Sequence, residues 1–142
     1  MLISTRSRYG LKIMYELALK YGEQPVFLKD IAGAYGISEK YLSKLVIPLR
    51  GAGLVSSFRG AHGGYALARD PRAVTLREIV QILEGTIAPA TGRPRGPARA
   101  AADHPTESVW DSLEKTVNET MEKVTLDSLV QAGRSSAPNY QI

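Results

Sequence analysis

Cysteine is missing from all 142 residues of the chain, which excludes disulfides and thiolate metal ligands. Histidine occurs only at His62 and His104, one in a glycine-rich turn and one in a proline-rich loop. With no phosphate-cradling glycine motif either, an enzyme finds little support. No apolar run approaches the roughly 18 residues of a membrane span. The N-terminus lacks the continuous apolar block of a secretory signal, so the expected compartment is the cytoplasm, without membrane contact.

What is present is a chain of single-domain size with unevenly placed charge. Residues 1–72 carry 11 Lys and Arg against 5 Asp and Glu, a net of +6; residues 73–142 carry 7 against 9, a net of −2. Basic charge gathered in one half suits phosphate binding.

The stretch Leu28–Leu67 gives that charge a context. Leu28, Ile31, Ala32 and Tyr35 fall at helical spacing and Gly36 closes the helix. Ser38 is an N-cap for a second helix carrying Tyr41, Leu42, Leu45 and Val46. Leu54–Arg59 reads as a strand, Gly60–Gly64 as a turn, and Tyr65–Leu67 as the returning strand. A helix–turn–helix followed by a β-wing places one helix in the DNA major groove and a loop on the backbone or minor groove. The fold class expected is mainly α with a small β-wing (α+β).

Around this unit, Ser4 and Thr5 can cap a first helix over about Arg6–Tyr21, and Asp70-Pro71 breaks the chain after the wing. Thr75-Leu-Arg-Glu78 has the form of a capping box opening a helix that stops at Gly85. Pro89–Pro105 holds four of the eight prolines and reads as an exposed loop. A long helix follows over about Glu107–Val124. Its stripe of Trp110, Leu113, Val117, Met121 and Val124 is narrow and nearly heptad-like. That pattern suits pairing with a symmetry mate better than a broad core, with an ordinary core-facing helix as the alternative. Thr125–Val130 can add one turn, and the residues after Gly133 read as a tail. The divisions expected are a DNA-binding region at 1–72, a connecting helix at 73–88, a loop at 89–106, a dimerisation helix at 107–132 and a flexible tail at 133–142.

Candidate DNA contacts are the exposed positions of the second helix: Ser38, Lys40, Tyr41, Ser43 and Lys44, with Glu39 among them and Arg50 near its end. Lys40 and Lys44 lie one turn apart and can reach phosphates or guanine edges. Tyr41 can pack inward or rest its hydroxyl on a phosphate. Pro48 should kink or end the helix. Arg59, beside Gly60, can enter a minor groove. His62 is a second wing contact, as a neutral donor to phosphate rather than a metal ligand.

Several of these motifs resemble one family. Leu2–Leu11, Ser38-Glu-Lys-Tyr-Leu42, Pro48–Val55, Arg59-Gly-Ala-His-Gly-Gly-Tyr65 and Ile82-Leu-Glu-Gly85 are similar to the Rrf2 family of bacterial winged-helix regulators. That family includes iron–sulfur-cluster, nitric-oxide and cysteine-metabolism regulators. The resemblance extends to about Val130 and implies a homodimer joined through the long helix, with two winged helices reading a palindromic operator in double-stranded DNA. Many members hold a [2Fe–2S] cluster on three cysteines in the loop before the long helix, at positions that fall here near Gly92, Ala98 and His104. Such clusters need soft thiolates, so no cofactor is expected. Either this member senses without iron–sulfur chemistry, or its ligands were replaced.

The cysteine-metabolism branch is the cluster-free precedent, and the resemblance implies cysteine synthase as a partner. The tail Asn139-Tyr140-Gln141-Ile142 is then a candidate docking peptide, against the plainer reading of a tail without function. The leading expectation is a dimeric transcriptional regulator, acting as a repressor, of cysteine, sulfur or iron–sulfur metabolism. A protein–protein interaction module built on the winged helix is the alternative from another class.

Overall fold

The computed structural model describes residues 3–85 and 104–136. Its first helix, α1 (Thr5–Leu19), buries Ile13, Met14 and Leu17. Ser4 stands at the N-cap position, but its hydroxyl does not cap the helix as the sequence suggests. It donates instead to Glu84, which also accepts the Ser4 amide at 3.0 Å and the Ser7 hydroxyl at 2.6 Å. A carboxylate from a distant helix end therefore satisfies the donors at the start of α1, where the helix dipole favours negative charge.

α2 (Leu28–Tyr35) ends at Gly36, whose φ of 64° lies in the left-handed region that reverses the chain without a Cβ clash. α3 (Glu39–Gly51) begins where the Ser38 hydroxyl accepts from the Tyr41 amide at 3.3 Å. Leu42, Leu45, Val46 and Leu49 form its buried face. Pro48 does not end the helix, which runs on to Gly51. Proline removes one intrahelical donor, but Leu49 is wholly buried and the Ala52 amide returns to the Pro48 carbonyl at 3.0 Å. Packing of that last turn outweighs the lost bond.

β1 (Val55–Phe58) and β2 (Gly64–Leu67) pair antiparallel, with Val55 opposite Leu67 and Phe58 opposite Gly64. Val26 adds a bridge on the outer edge of β2, exchanging both backbone bonds with Tyr65 at 2.8 Å. At Gly64, φ is 121° and a Cβ would lie 2.6 Å from the Val26 carbonyl oxygen. Glycine is therefore required for the wing to meet the segment before α2.

A 3-10 turn (Pro71–Ala73) leads to α4 (Leu76–Glu84). Only half of the expected capping box is used. Thr75 Oγ1 accepts from the Glu78 amide at 3.2 Å, while the Glu78 carboxylate takes Arg69 Nη1 at 2.6 Å. α5 (Pro105–Lys123) starts two residues earlier than the periodicity suggests, because His104 caps it and Pro105 suits the first helical position. In place of one further turn, α6 (Leu126–Ser136) is an 11-residue helix, and Gly133 lies inside it rather than opening a tail. The helical stretch expected over 107–132 is thus two helices. Val124, with ψ 118°, breaks them apart. There the Leu76 amide donates to the Val124 carbonyl at 2.8 Å and the Leu126 amide to the Val74 carbonyl at 3.0 Å. One core unites α1–α4, the wing and α6 through Ile13, Leu17, Leu49, Leu54, Ile79 and Leu126.

Candidate nucleic-acid interface

The face of α3 opposite its buried residues carries the candidate contacts. Lys40 and Lys44 are exposed, and Arg50 is exposed one turn before the wing begins. Ser38 is occupied as the cap, which leaves its own O–H to donate. Ser43 donates its hydroxyl to the Glu39 carbonyl at 2.9 Å, so its oxygen retains acceptor capacity. The Tyr41 ring packs edge-on against Tyr9, with centroids 5.8 Å apart and planes at 86°. Of the two alternatives for Tyr41, inward packing holds for the ring.

A groove of about 410 Å³ runs between α3, the start of α2 and the wing, and brings together Ser43, Arg50 and Arg59. Lys40, Lys44 and His62 do not line it: the lysines stand on the exposed face of α3 and His62 at the exposed wing tip. The Gly63 amide closes that tip on the Gly60 carbonyl at 2.9 Å. Lys29 and Ser57 line the groove as well, although nothing in the sequence pattern singled them out. The Val26–Tyr65 pairing that brings Lys29 beside the wing joins residues 39 apart, and no local signal announces it. The hint available was the alternation of Val26 with exposed Phe27 just before α2.

Charge on this surface is mainly positive. Lys29, Arg50 and Arg59 share the groove with Glu39, and Lys40 and Lys44 flank it. On α1, Lys12 sits over the rings of Tyr9 and Tyr35 at 5.6 and 5.0 Å. Burial and a 2.5 Å bond donated to Glu16 push the Tyr35 phenol up to about 12.

The stripe on α5 divides. Met121 is buried within its own chain and Val117 and Val124 are partly covered, whereas Trp110 and Leu113 are 48% and 54% exposed, beside Val109 at 55%. His104 caps α5, its Nδ1 accepting from the Thr106 amide at 3.3 Å and lying 2.7 Å from the Thr106 hydroxyl. Gly92, Ala98, Tyr140 and Ile142 lie outside the described residues. A chain without cysteine offers no thiolate donors, and His104, the histidine adjoining α5, already serves the helix end. The donor set does not fit a [2Fe–2S] cluster. Among the described residues no three histidine, aspartate or glutamate side chains group as metal ligands. None of the described helices is long and apolar enough to cross a membrane.

Comparison with known proteins extends over nearly the whole chain. The Rrf2 family model, described as an iron-dependent transcriptional regulator, matches residues 3–132. The HTH-type transcriptional regulator CymR of Bacillus subtilis (strain 168) is 45% identical over 130 residues, which are 91% of this chain and 89% of the relative. The solved structure of CymR, the global cysteine regulator of B. subtilis, aligns with a TM-score of 0.81 at 42% identity, covering 93% of this chain and 98% of that one. For T. potens IscR the TM-score is 0.75 at 38% identity, over 94% and 88%. These relatives are transcriptional regulators, not enzymes, in keeping with the expectation from sequence.

Proposed function

Because the chain belongs to the Rrf2 family of transcriptional regulators, we propose that it is a cofactor-free, cytoplasmic repressor that binds a palindromic operator as a homodimer and controls cysteine or sulfur metabolism. The observation that carries the DNA contact is the groove in which Ser43 and Arg50 of α3 meet Arg59 of the wing, flanked by Lys40 and Lys44. Cations on the helix can neutralise phosphates or meet guanine edges, and the wing arginine can enter an adjacent minor groove. The pathway reading is supported by the similarity to CymR, described as a global cysteine regulator. The absence of thiolates favours sensing without an iron–sulfur cluster.

The dimer is supported by the exposed Val109, Trp110 and Leu113 on one helix, a patch that association would remove from water. Two winged helices related by a two-fold axis read half-sites about one DNA turn, or a multiple of it, apart. Cysteine synthase belongs to the same reading as a partner, to be tested by calorimetry of the two purified proteins. The operator claim is tested by selecting duplexes from a random pool with purified protein. An inverted repeat is expected, near genes of sulfur assimilation; a pool that stays unenriched would refute the reading.

A further inference from the structure

We propose that Glu39 reads a cytosine in each operator half-site, its carboxylate accepting a hydrogen bond from the base's N4 amino group. This rests on the DNA-binding reading above and deepens it to the base that one side chain selects. Glu39 is the first residue of α3, in the part of a recognition helix that meets base edges. It is exposed and lines the groove that also holds Lys29, Ser43, Arg50 and Arg59.

Three cations line that groove, yet the Glu39 carboxylate makes no ion pair or hydrogen bond among the described residues. The one side-chain hydrogen bond at Glu39 among those residues is that of the Ser43 hydroxyl, which donates to the Glu39 backbone carbonyl and not to its carboxylate. The acidic residue opening α4 is different in this respect, since Glu78 is held by Arg69.

An unpaired carboxylate on a phosphate-facing surface lowers affinity for every duplex through like-charge repulsion. It recovers that loss only where a base offers donors and no acceptor beside them. In the major groove that base is cytosine, with its N4 amino group. Guanine presents N7 and O6, thymine O4, and adenine sets N7 next to its amino group. The carboxylate therefore works as a filter, weakening binding in general while sparing the matched site. The alternative role for a glutamate here is favourable interaction with the helix dipole, which stabilises the fold and is blind to base identity.

Glu39→Gln and Glu39→Ala separate the two. Each variant is titrated by fluorescence anisotropy against the duplex selected with the parent, all single-base-pair changes of one half-site, and a random duplex, with thermal melts alongside. At one pair per half-site, the glutamine variant should exchange the parent's cytosine preference for adenine, whose N6 and N7 match a carboxamide, by about tenfold or more. The alanine variant should lose discrimination at that pair and bind random DNA several-fold more tightly. Unchanged order of preference at every pair in a folded variant would overturn the proposal. So would an even loss on all duplexes together with a lower melting temperature, which would assign Glu39 to the helix alone. A parent that binds no duplex would instead remove the DNA-binding reading on which both rest.

Discussion

The Glu84 carboxylate accepts from the Ser4 amide and from the Ser4 and Ser7 hydroxyls, and Arg6 Nη2 lies 3.8 Å away. These hydrogen bonds hold its carboxyl below the ordinary glutamate range. Because Ser7 is only 2% exposed, Glu84→Ala leaves a buried hydroxyl without its partner. The variant should lose about 1.5–3 kcal/mol in urea unfolding at pH 7, the usual worth of a hydrogen bond to a charged group. With the folded pKa depressed, this stability is fully present above the unfolded value of about 4.3 and is lost as pH falls through the folded one. Glu84→Gln should therefore flatten the acid limb of stability against pH, and an unchanged limb would remove Glu84 as its source. Tyr35 has the opposite sign. With its phenol pushed up to about 12, stability should fall as pH climbs past the unfolded tyrosine value of about 10, and Tyr35→Phe should abolish that fall. None of this was legible in the sequence. Ser4 presents the chemistry of an N-cap, and only a partner 80 residues away redirects it. Ser38, whose partner lies three residues on, could be read correctly.

Elements defined by local chemistry were the legible ones. Gly36 and Ser38 flank the turn of the helix–turn–helix, and the glycines after Arg59 mark the wing, so both motifs stand in the sequence. α6 was expected as no more than one added turn over Thr125–Val130, because Gly133 reads as a stop. Its start was in fact marked: Thr125 and Ser128 cap each other, each amide donating to the other's hydroxyl at 3.0 Å. Gly133 is tolerated because the helix passes close to α1, where a Cβ would lie 2.3 Å from the Tyr15 hydroxyl. Pro48 shows the converse, a breaker overruled by packing. Pro48→Ala restores a helical donor at an exposed position, while giving up proline's restriction of the unfolded chain. The fold should gain about 1–2 kcal/mol, a net drawn from the helix penalty of proline. A loss of stability on denaturant melts would mean that the ring makes a contact worth more than the missing bond. At the wing, Gly64→Ala should separate β2 from Val26. Its expected signature is faster amide exchange at Val26 and Tyr65, with the core helices unchanged.

For the whole molecule, the uneven charge of the chain and the division of α5 point the same way. The basic half, net +6 over residues 1–72, contains the groove between α3 and the wing. The acidic half contains α5, whose Trp110 and Leu113 are about half exposed among the described residues. The sequence presented that stripe as one seam. The fold takes Met121 for its own interior, because α5 meets α4 at that end through the Leu76–Val124 bond and the Arg77–Glu122 pair, while among the described residues Trp110 and Leu113 at the other end stay half exposed. A charge at Met121 would therefore unfold the protomer, so it tests nothing about assembly. Trp110→Asp with Leu113→Asp should instead yield folded monomers by light scattering, since charge on a buried seam is left unpaired. A dimer surviving both changes would relocate the interface.

The central claim is that α3 and the wing bind operator DNA through their cations, and salt dependence tests it most directly. Affinity for the selected palindrome should fall linearly in log–log form as salt rises from 50 to 200 mM. Lys29, Lys40, Lys44, Arg50 and Arg59 on two protomers allow at most about ten phosphate contacts, hence a slope on the order of −4 to −9. Lys44→Ala should flatten it by about one unit per protomer. Affinity that does not change over this range, or a slope indifferent to Lys44, would contradict the account.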